Sequence, residues 1–237
     1  MLFLAQLLVY NIMKFDIITI FPEIFESYLN TSLIGKAREE NLIEVNIHNL
    51  RKWTDDKHNT VDDKPFGGGL GMVMKVEPIY KAVKEIKEKN NINKEKQKVI
   101  LFTPRGEEYD QKKASGFSNL ENIIMICGRY EGVDQRVADH IADIELSIGD
   151  YDLMGGELPA MVVLESTARL IPGVIGKEEL LKERVTKEKK FIEYPQYTRP
   201  QVFEAKEGKK WKVPEILLSG HHKKIKEWRE EKGEKIG

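Results

Sequence analysis

The residues best placed to do chemistry in this 237-residue chain cluster around two glycine turns, GRYEG at 128–132 and GDYDLMGG at 149–156. Neither turn sets a nucleophile beside a base. Glycine lets a backbone approach a ligand closely, so these turns suit recognition by N–H and C=O groups better than covalent catalysis. The plain alternative is that the glycines serve only tight turns. Each turn ends an apolar run, 122–126 (NIIMI) and 144–148 (IELSI), and α/β sheets bind ligands where strands end in loops. A third apolar run, 98–103, ends in PRG at 104–106. If these strands are adjacent and parallel, all three loops meet at one sheet edge as a concave site lined mainly by backbone. One cation, Arg169, stands near the end of a helix expected over 157–170 that is apolar nearly all round. It either serves a site or satisfies the helix C-terminus, the commoner case.

Other candidate chemistry is weaker. Asp55, Asp56, His58, Asp62 and Asp63 offer metal-ligating groups, but without a recognised ligand spacing, and the loop 51–71 reads as solvated and hydrogen-bonding. Its glycine run, 67–71 (GGGLG), matches neither the dinucleotide fingerprint nor the P-loop, because the Lys-Ser/Thr pair is missing. The single Cys127 excludes an intrachain disulfide framework and a cysteine-rich zinc site, which fits a reducing, cytoplasmic compartment.

The elements that must position these loops alternate in α/β fashion. A β-rich run from Met13 ends at Pro22, which opens a helix expected to carry Ile24, Phe25, Tyr28 and Leu29 inward. Residues 32–40 give another helical turn or two, and 43–50 alternates as a half-buried strand. Ile79, Val83 and Ile86 mark an amphipathic helix over 77–89, and Val133, Val137 and Ile141 mark a second after the first glycine turn. The all-round apolar helix at 157–170 belongs in a large core or a subunit interface. The first twelve residues are apolar, too short to span a bilayer, and lack a signal-peptide n-region. They read as an extension outside a fold that starts at Met13.

Hydrophobic residues make up 41% and charged residues 32%, with a mean hydropathy of −0.45: an ordinary water-soluble composition. The net charge of −1 is unevenly spread. Residues 1–176 hold 21 Lys+Arg against 27 Asp+Glu, a net of −6, while 177–237 hold 17 against 12, a net of +5. Such a basic tail suits a polyanion, although lysine-rich solvated helices are common. Aromatic and cationic residues alternate there, as in YPQYTRP at 194–200. They suit stacking on single-stranded RNA, and equally the minimal core of a small lobe.

The stretches IFPEIF, TVDDKPFGGG, GMVM, CGRYEGVDQRV, SIGDYDLMGGELPAM, RLIPGV, YPQYTRP and LLSGHH, in this order, resemble the bacterial tRNA (guanine-N1)-methyltransferase family of knotted SPOUT methyltransferases. The resemblance runs from Met13 to about Arg229. It implies a SPOUT-type parallel sheet with a deep trefoil knot over 13–173, a flexible linker over 174–190, and a small, basic, helical tRNA-binding lobe over 191–237. The implied reaction moves the methyl of S-adenosylmethionine to N1 of the guanosine 3′ of the anticodon, in a homodimer with shared active sites, no membrane, and Mg²⁺ dependence without a visible ligand set. The implied cofactor cradle comprises Leu101, Phe102, Thr103, Pro104, Gly128, Tyr130, Glu131, Gly132, Ile148, Gly149, Asp150, Tyr151, Asp152, Leu153, Gly155, Gly156 and Pro159. Gly156→Val is accordingly expected to abolish cofactor binding while leaving the fold intact. The family's O6-stabilising arginine falls on Arg169.

Three departures stand out. No Asp follows Asp152, so the family's general-base aspartate is missing and Glu183 is the nearest candidate carboxylate. The chain stops at Gly237, short of the family's usual last helices, and Leu70 interrupts the glycine run. Besides an active tRNA methyltransferase, two readings compete. One is a non-catalytic RNA-binding relative that keeps the pocket, and the other a knotted enzyme acting on a different RNA position, such as a ribose 2′-hydroxyl.

Overall fold

The computed structural model describes residues 12–176 and 191–236, and the chain divides into two compact units between Glu178 and Glu179. In the first unit β1 (Met13–Thr19) leads through a short 3₁₀ turn (Pro22–Phe25) and two helices, α1 (Glu26–Leu29) and α2 (Ser32–Glu39), into β2 (Ile43–Asn49). A two-residue strand pair follows, β3 (Asp62–Asp63) with β4 (Val73–Met74), and then α3 (Val76–Asn90). The rest is β5 (Gln97–Glu108), α4 (Gln111–Phe117), β6 (Asn122–Ile126), α5 (Gln135–His140), β7 (Ile144–Ser147) and α6 (Glu157–Ala168). Five strands form one sheet in the order β2-β1-β6-β5-β7, each pair parallel.

Helices cover both faces, as a parallel sheet requires. Phe15, Ile17, Ile100, Ile123, Met125 and Leu146 pack on one side with α1, α2, α4 and α6. Ile18, Val99, Leu101, Ile124 and Ile126 pack on the other with Ile79, Ala82, Val83 and Ile86 of α3 and Val137 of α5. The apolar runs that alternate poorly in the sequence are strands buried on both faces.

Several expectations change in detail. The fifth strand does not end at Thr103: it runs on to Glu108, and its register against β7 breaks between Phe102 and Glu107. Pro104 is tolerated because it falls in this bulge, where no ladder hydrogen bond is lost. Gly106 closes the bulge against β7 so tightly that a Cβ there would sit 2.5 Å from the Leu146 nitrogen. Ile24 faces outward, while Phe25 and Leu29 are buried. Val133 precedes α5 and instead bridges to Met74.

The second unit is not simply helical. It pairs β8 (Phe191–Glu193) with β11 (Glu234–Ile236), and β9 (Val202–Glu204) with β10 (Lys210–Lys212), both antiparallel, around α7 (Glu215–Leu218) and α8 (His222–Lys232). The three-residue strands β9 and β10 are exposed along their length. Without a buried face they leave no alternation for a sequence reading to detect. Among the described residues of this unit only Tyr194 is buried.

Candidate functional site

A cavity of about 380 Å³ opens at the carboxyl ends of β5, β6 and β7. Its wall is formed by the three loops singled out above: 101–105 on the β5 bulge, 128–132 after β6, and 148–156 after β7, closed by Pro159 of α6. Of the expected cradle, every residue lines the cavity except Asp150, which points to solvent. Arg169 is not there. It caps the C-terminus of α6, thirteen residues beyond Gly156, or about 20 Å at 1.5 Å per residue. Glu183 lies outside the described residues.

The loops are held by one another. Gly156 N–H donates to the Gly128 carbonyl at 3.0 Å, Met74 N–H to Gly132 and Glu131 N–H to the Met72 carbonyl, each at 3.0 Å. Gly71, at φ +85°, packs on Glu131 so closely that a Cβ would meet its Cγ at 2.5 Å. The glycine run therefore lies beside the first glycine turn, and Gly71 needs its left-handed backbone there. Tyr130 sits at φ +61° without being glycine, a conformation that persists only where surrounding structure enforces it. Gly156 corrects the expectation for Gly156→Val. A Cβ there would lie 2.6 Å from the Cα of Cys127, so this glycine serves a seam between β6 and α6 as well as the cavity, and valine would strain the fold itself.

Two residues missed in the sequence organise this seam. Glu157, 2% exposed, accepts from Thr19 Oγ1 at 2.7 Å and from Arg129 Nε at 2.9 Å. Arg129 also donates to the Met154 carbonyl at 3.3 Å, and its guanidinium lies 4.7 Å from the Phe21 ring centre. One buried ion pair thus ties the end of β1, both glycine turns and the start of α6 together. A signal for it exists: an acid opens an apolar helix directly after Gly-Gly, and Arg129 is the one cation within the two turns. Burial, seconded by the Glu157 charge, pushes the Cys127 thiol well above its ordinary range against the opposing pull of Arg129. This thiol is no nucleophile.

In the loop between β2 and α3, Asp56 accepts from the backbone of His58 and Thr60, both at 2.9 Å, and from the Thr60 hydroxyl at 2.8 Å. These bonds, led by the Thr60 backbone, hold its carboxyl below the usual range. Asp56 thus organises a turn, while Asp55 pairs with Lys81 of α3.

A parallel sheet with a backbone-lined cavity at its carboxyl edge admits many activities; comparison with known proteins decides among them. The family model described as tRNA (guanine-1)-methyltransferase TrmD matches residues 13–236. The chain belongs to this family. A protein of Clostridioides difficile (strain 630) named tRNA (guanine-N(1)-)-methyltransferase is 50% identical over 224 residues, 94% of this chain and 94% of its own. Relatives of the same name from Dictyoglomus turgidum and Carboxydothermus hydrogenoformans are each 49% identical over 217 residues. These cover 92% of this chain and 83% and 81% of their own lengths.

Proposed function

We propose that this chain transfers the methyl of S-adenosylmethionine to N1 of the guanosine 3′ of the anticodon in tRNA. The observation carrying the reading is the cavity, walled by the three loops that the resemblance assigns to the cofactor, in a chain that matches the family over 13–236. The cavity's chemistry fits the donor: apolar walls from Leu101, Phe102, Ile148 and Leu153 for a flat base, with the glycine turns around them. Bound S-adenosylmethionine supplies an electrophilic methyl group on a sulfonium. The chain must then offset negative charge growing on guanine O6, the role of Arg169, and accept the N1 proton, the role of Glu183. Among the described residues no three His, Cys, Asp or Glu side chains stand together as metal ligands. The knot belongs to the same reading, with the loop 149–156 threaded beside β6.

A second copy completes the site in this reading. Arg169 and the cavity lie at opposite ends of one helix, so no single chain brings them together without bending α6. Leu158 and Val162 expose 56% and 43% of their surface, one turn apart on the face that continues toward Glu165 and Arg169, and Phe21 and Ile24 are exposed too. Two such faces packed antiparallel would set each Arg169 near the partner's cavity. Sedimentation is expected to give a dimer at micromolar concentration; a 27.4 kDa species would remove the shared site.

The second unit is proposed to hold the anticodon stem-loop. Tyr197, His222, Lys226 and Arg229 line a hollow of about 330 Å³ within the basic tail of the chain, so tRNA affinity should fall steeply with salt. Among the described residues no helix is long and apolar enough to cross a membrane, which accords with a cytoplasmic tRNA enzyme. The deciding experiment is nucleoside analysis of bulk tRNA after incubation with labelled S-adenosylmethionine. N1-methylguanosine is expected; another methylated nucleoside, or none, would replace this reading with one of its competitors.

A further inference from the structure

Among the described residues β9 and β10 pair only with each other, as a two-stranded ribbon within the second unit. Phe203 stands directly opposite Trp211, with Glu204 opposite Lys210 and Val202 opposite Lys212. Side chains alternate along a strand, so the two rings share one face of the ribbon and the other two pairs take the reverse face. Backbone bonds close the ribbon at both ends, from Ala205 N–H to the Lys209 carbonyl at 2.8 Å and from Val213 N–H to the Gln201 carbonyl at 2.9 Å. On the reverse face Lys210 pairs with Glu204 at 3.0 Å. The ring centres of Phe203 and Trp211 are 5.5 Å apart, their planes tilted by 34°. This cross-strand contact helps hold the ribbon, yet it leaves Phe203 50% and Trp211 64% exposed. Elsewhere in the unit Tyr197 packs beside Trp228, and Arg229 lies over Tyr194. Neither Phe203 nor Trp211 lines the hollow of Tyr197, His222, Lys226 and Arg229. We propose that the Phe203–Trp211 face is a stacking platform for one unpaired base of the RNA substrate, a contact separate from that hollow. The proposal rests on the second unit being the part that holds tRNA. Two observations select this occupant. Lys206, Lys209, Lys210 and Lys212 against Glu204 and Glu207 give residues 202–213 a net charge of +2, which suits a phosphate chain running past the rings. The apolar area on offer is that of two half-covered rings, roughly 200 Å² when a whole aromatic side chain presents about 150–250 Å². A stable protein partner needs about 800 Å² from each side. One unstacked base matches a single indole in size, and every base has a π-face to offer it.

Binding of end-labelled tRNA to the full chain, followed by fluorescence anisotropy, tests this. Trp211→Ala should weaken binding roughly 5- to 150-fold, the range for one base on one aromatic ring. The slope of affinity against salt should stay as in wild type, because a stack neutralises no phosphate. Trp211→Phe should recover most of the loss. Abasic substitution at the unpaired nucleotides of the tRNA, one at a time, should reveal a position whose loss weakens wild type by a similar factor and Trp211→Ala no further. If Trp211→Ala unsettles the ribbon, Trp211→Phe keeps the cross-strand pair and carries the test. Bound tRNA should then quench the indole emission of wild type by a larger fraction than that of Trp211→Phe, which retains Trp53 and Trp228. Unchanged affinity in Trp211→Ala overturns the platform, as do a changed salt slope, equal quenching in wild type and Trp211→Phe, or abasic losses that are the same on both proteins at every position. A Trp211→Ala protein that binds tRNA as wild type but sediments as a smaller species assigns the face to a contact between copies instead. No binding of tRNA to wild type is a different result, and brings down the tRNA reading of the second unit itself.

Discussion

The two ends of the five-stranded sheet solve opposite problems. At the amino ends of β5 and β6, polar side chains are buried and bonded to each other: Asn122 and Asn90 donate to Asp16 Oδ2 at 2.7 and 2.8 Å, His48 Nε2 lies 2.7 Å from Asp16 Oδ1, and Gln97 donates to Asn122 at 2.7 Å. Asp16 is 2% exposed and Asn122 wholly buried. At the carboxyl ends the chain instead leaves a cavity walled by glycine turns. A closed network rigidifies its surroundings and gives specificity to the fold; an open, preformed cavity keeps its interactions for a ligand. The contrast separates residues whose loss should cost stability from those whose loss should cost binding or rate.

The largest effect is expected where the chemistry is proposed. Arg169→Ala and Glu183→Gln should each slow single-turnover methylation by about 10²–10⁴-fold, with S-adenosylhomocysteine affinity unchanged. Glu178→Gln and Glu188→Gln, equally acidic and proposed as bystanders, should react as wild type. Unaltered turnover in Glu183→Gln would place the base elsewhere. Next comes Gly156→Val, on the boundary between the two kinds of residue. Overpacking the Cys127 backbone should lower stability by about 1–3 kcal/mol, so denaturant melts must shift along with ligand affinity. A loss of affinity with an unmoved midpoint would show that the seam adapts and that only the ligand feels the side chain.

Asp16→Asn probes the closed end. Burial raises the Asp16 carboxyl, but hydrogen bonds from His48, Asn90 and Asn122 outweigh it and hold it below its ordinary 3.8. With the folded value below the unfolded one, its stabilisation is full above about pH 3.8 and disappears as the pH falls through the lower folded value. The variant, which turns an acceptor into a donor facing two amides, should lose about 1–3 kcal/mol at neutral pH, and the gap from wild type should narrow only below 3.8. Cofactor affinity should not move; if it does, the two ends are coupled. The smallest effect belongs to Leu70→Pro in the glycine run. Leu70 is almost fully exposed, and an unfolding free energy from denaturant melts within about 0.5 kcal/mol of wild type is expected for a surface change.

Much of the carboxyl end was legible because glycine turns after apolar runs report where strands stop, and parallel strands stop together. The β5 bulge was not: Pro104 and Gly106 look like a terminus, and only the facing β7 backbone shows why a glycine and a proline continue the strand. The Glu157–Arg129 pair was legible in principle, from an acid at the head of an apolar helix, but its partner is fixed by a tertiary contact spanning 28 residues. The closed network at Asp16 draws on five residues between 16 and 122, none close in sequence to all the others, and no periodicity announces it. The short strands of the second unit escaped for the reverse reason, having too little burial to leave a pattern.

The seam beneath the cavity also carries its own gauge. Cys127 is the only cysteine in the chain, is fully buried, and its backbone is what Gly156 rests against. A thiol reagent therefore reaches it only when β6 and α6 part, and its reaction rate at saturating reagent concentration counts those partings. Labelling kinetics with and without ligand would report how often this one joint breathes, without introducing a probe.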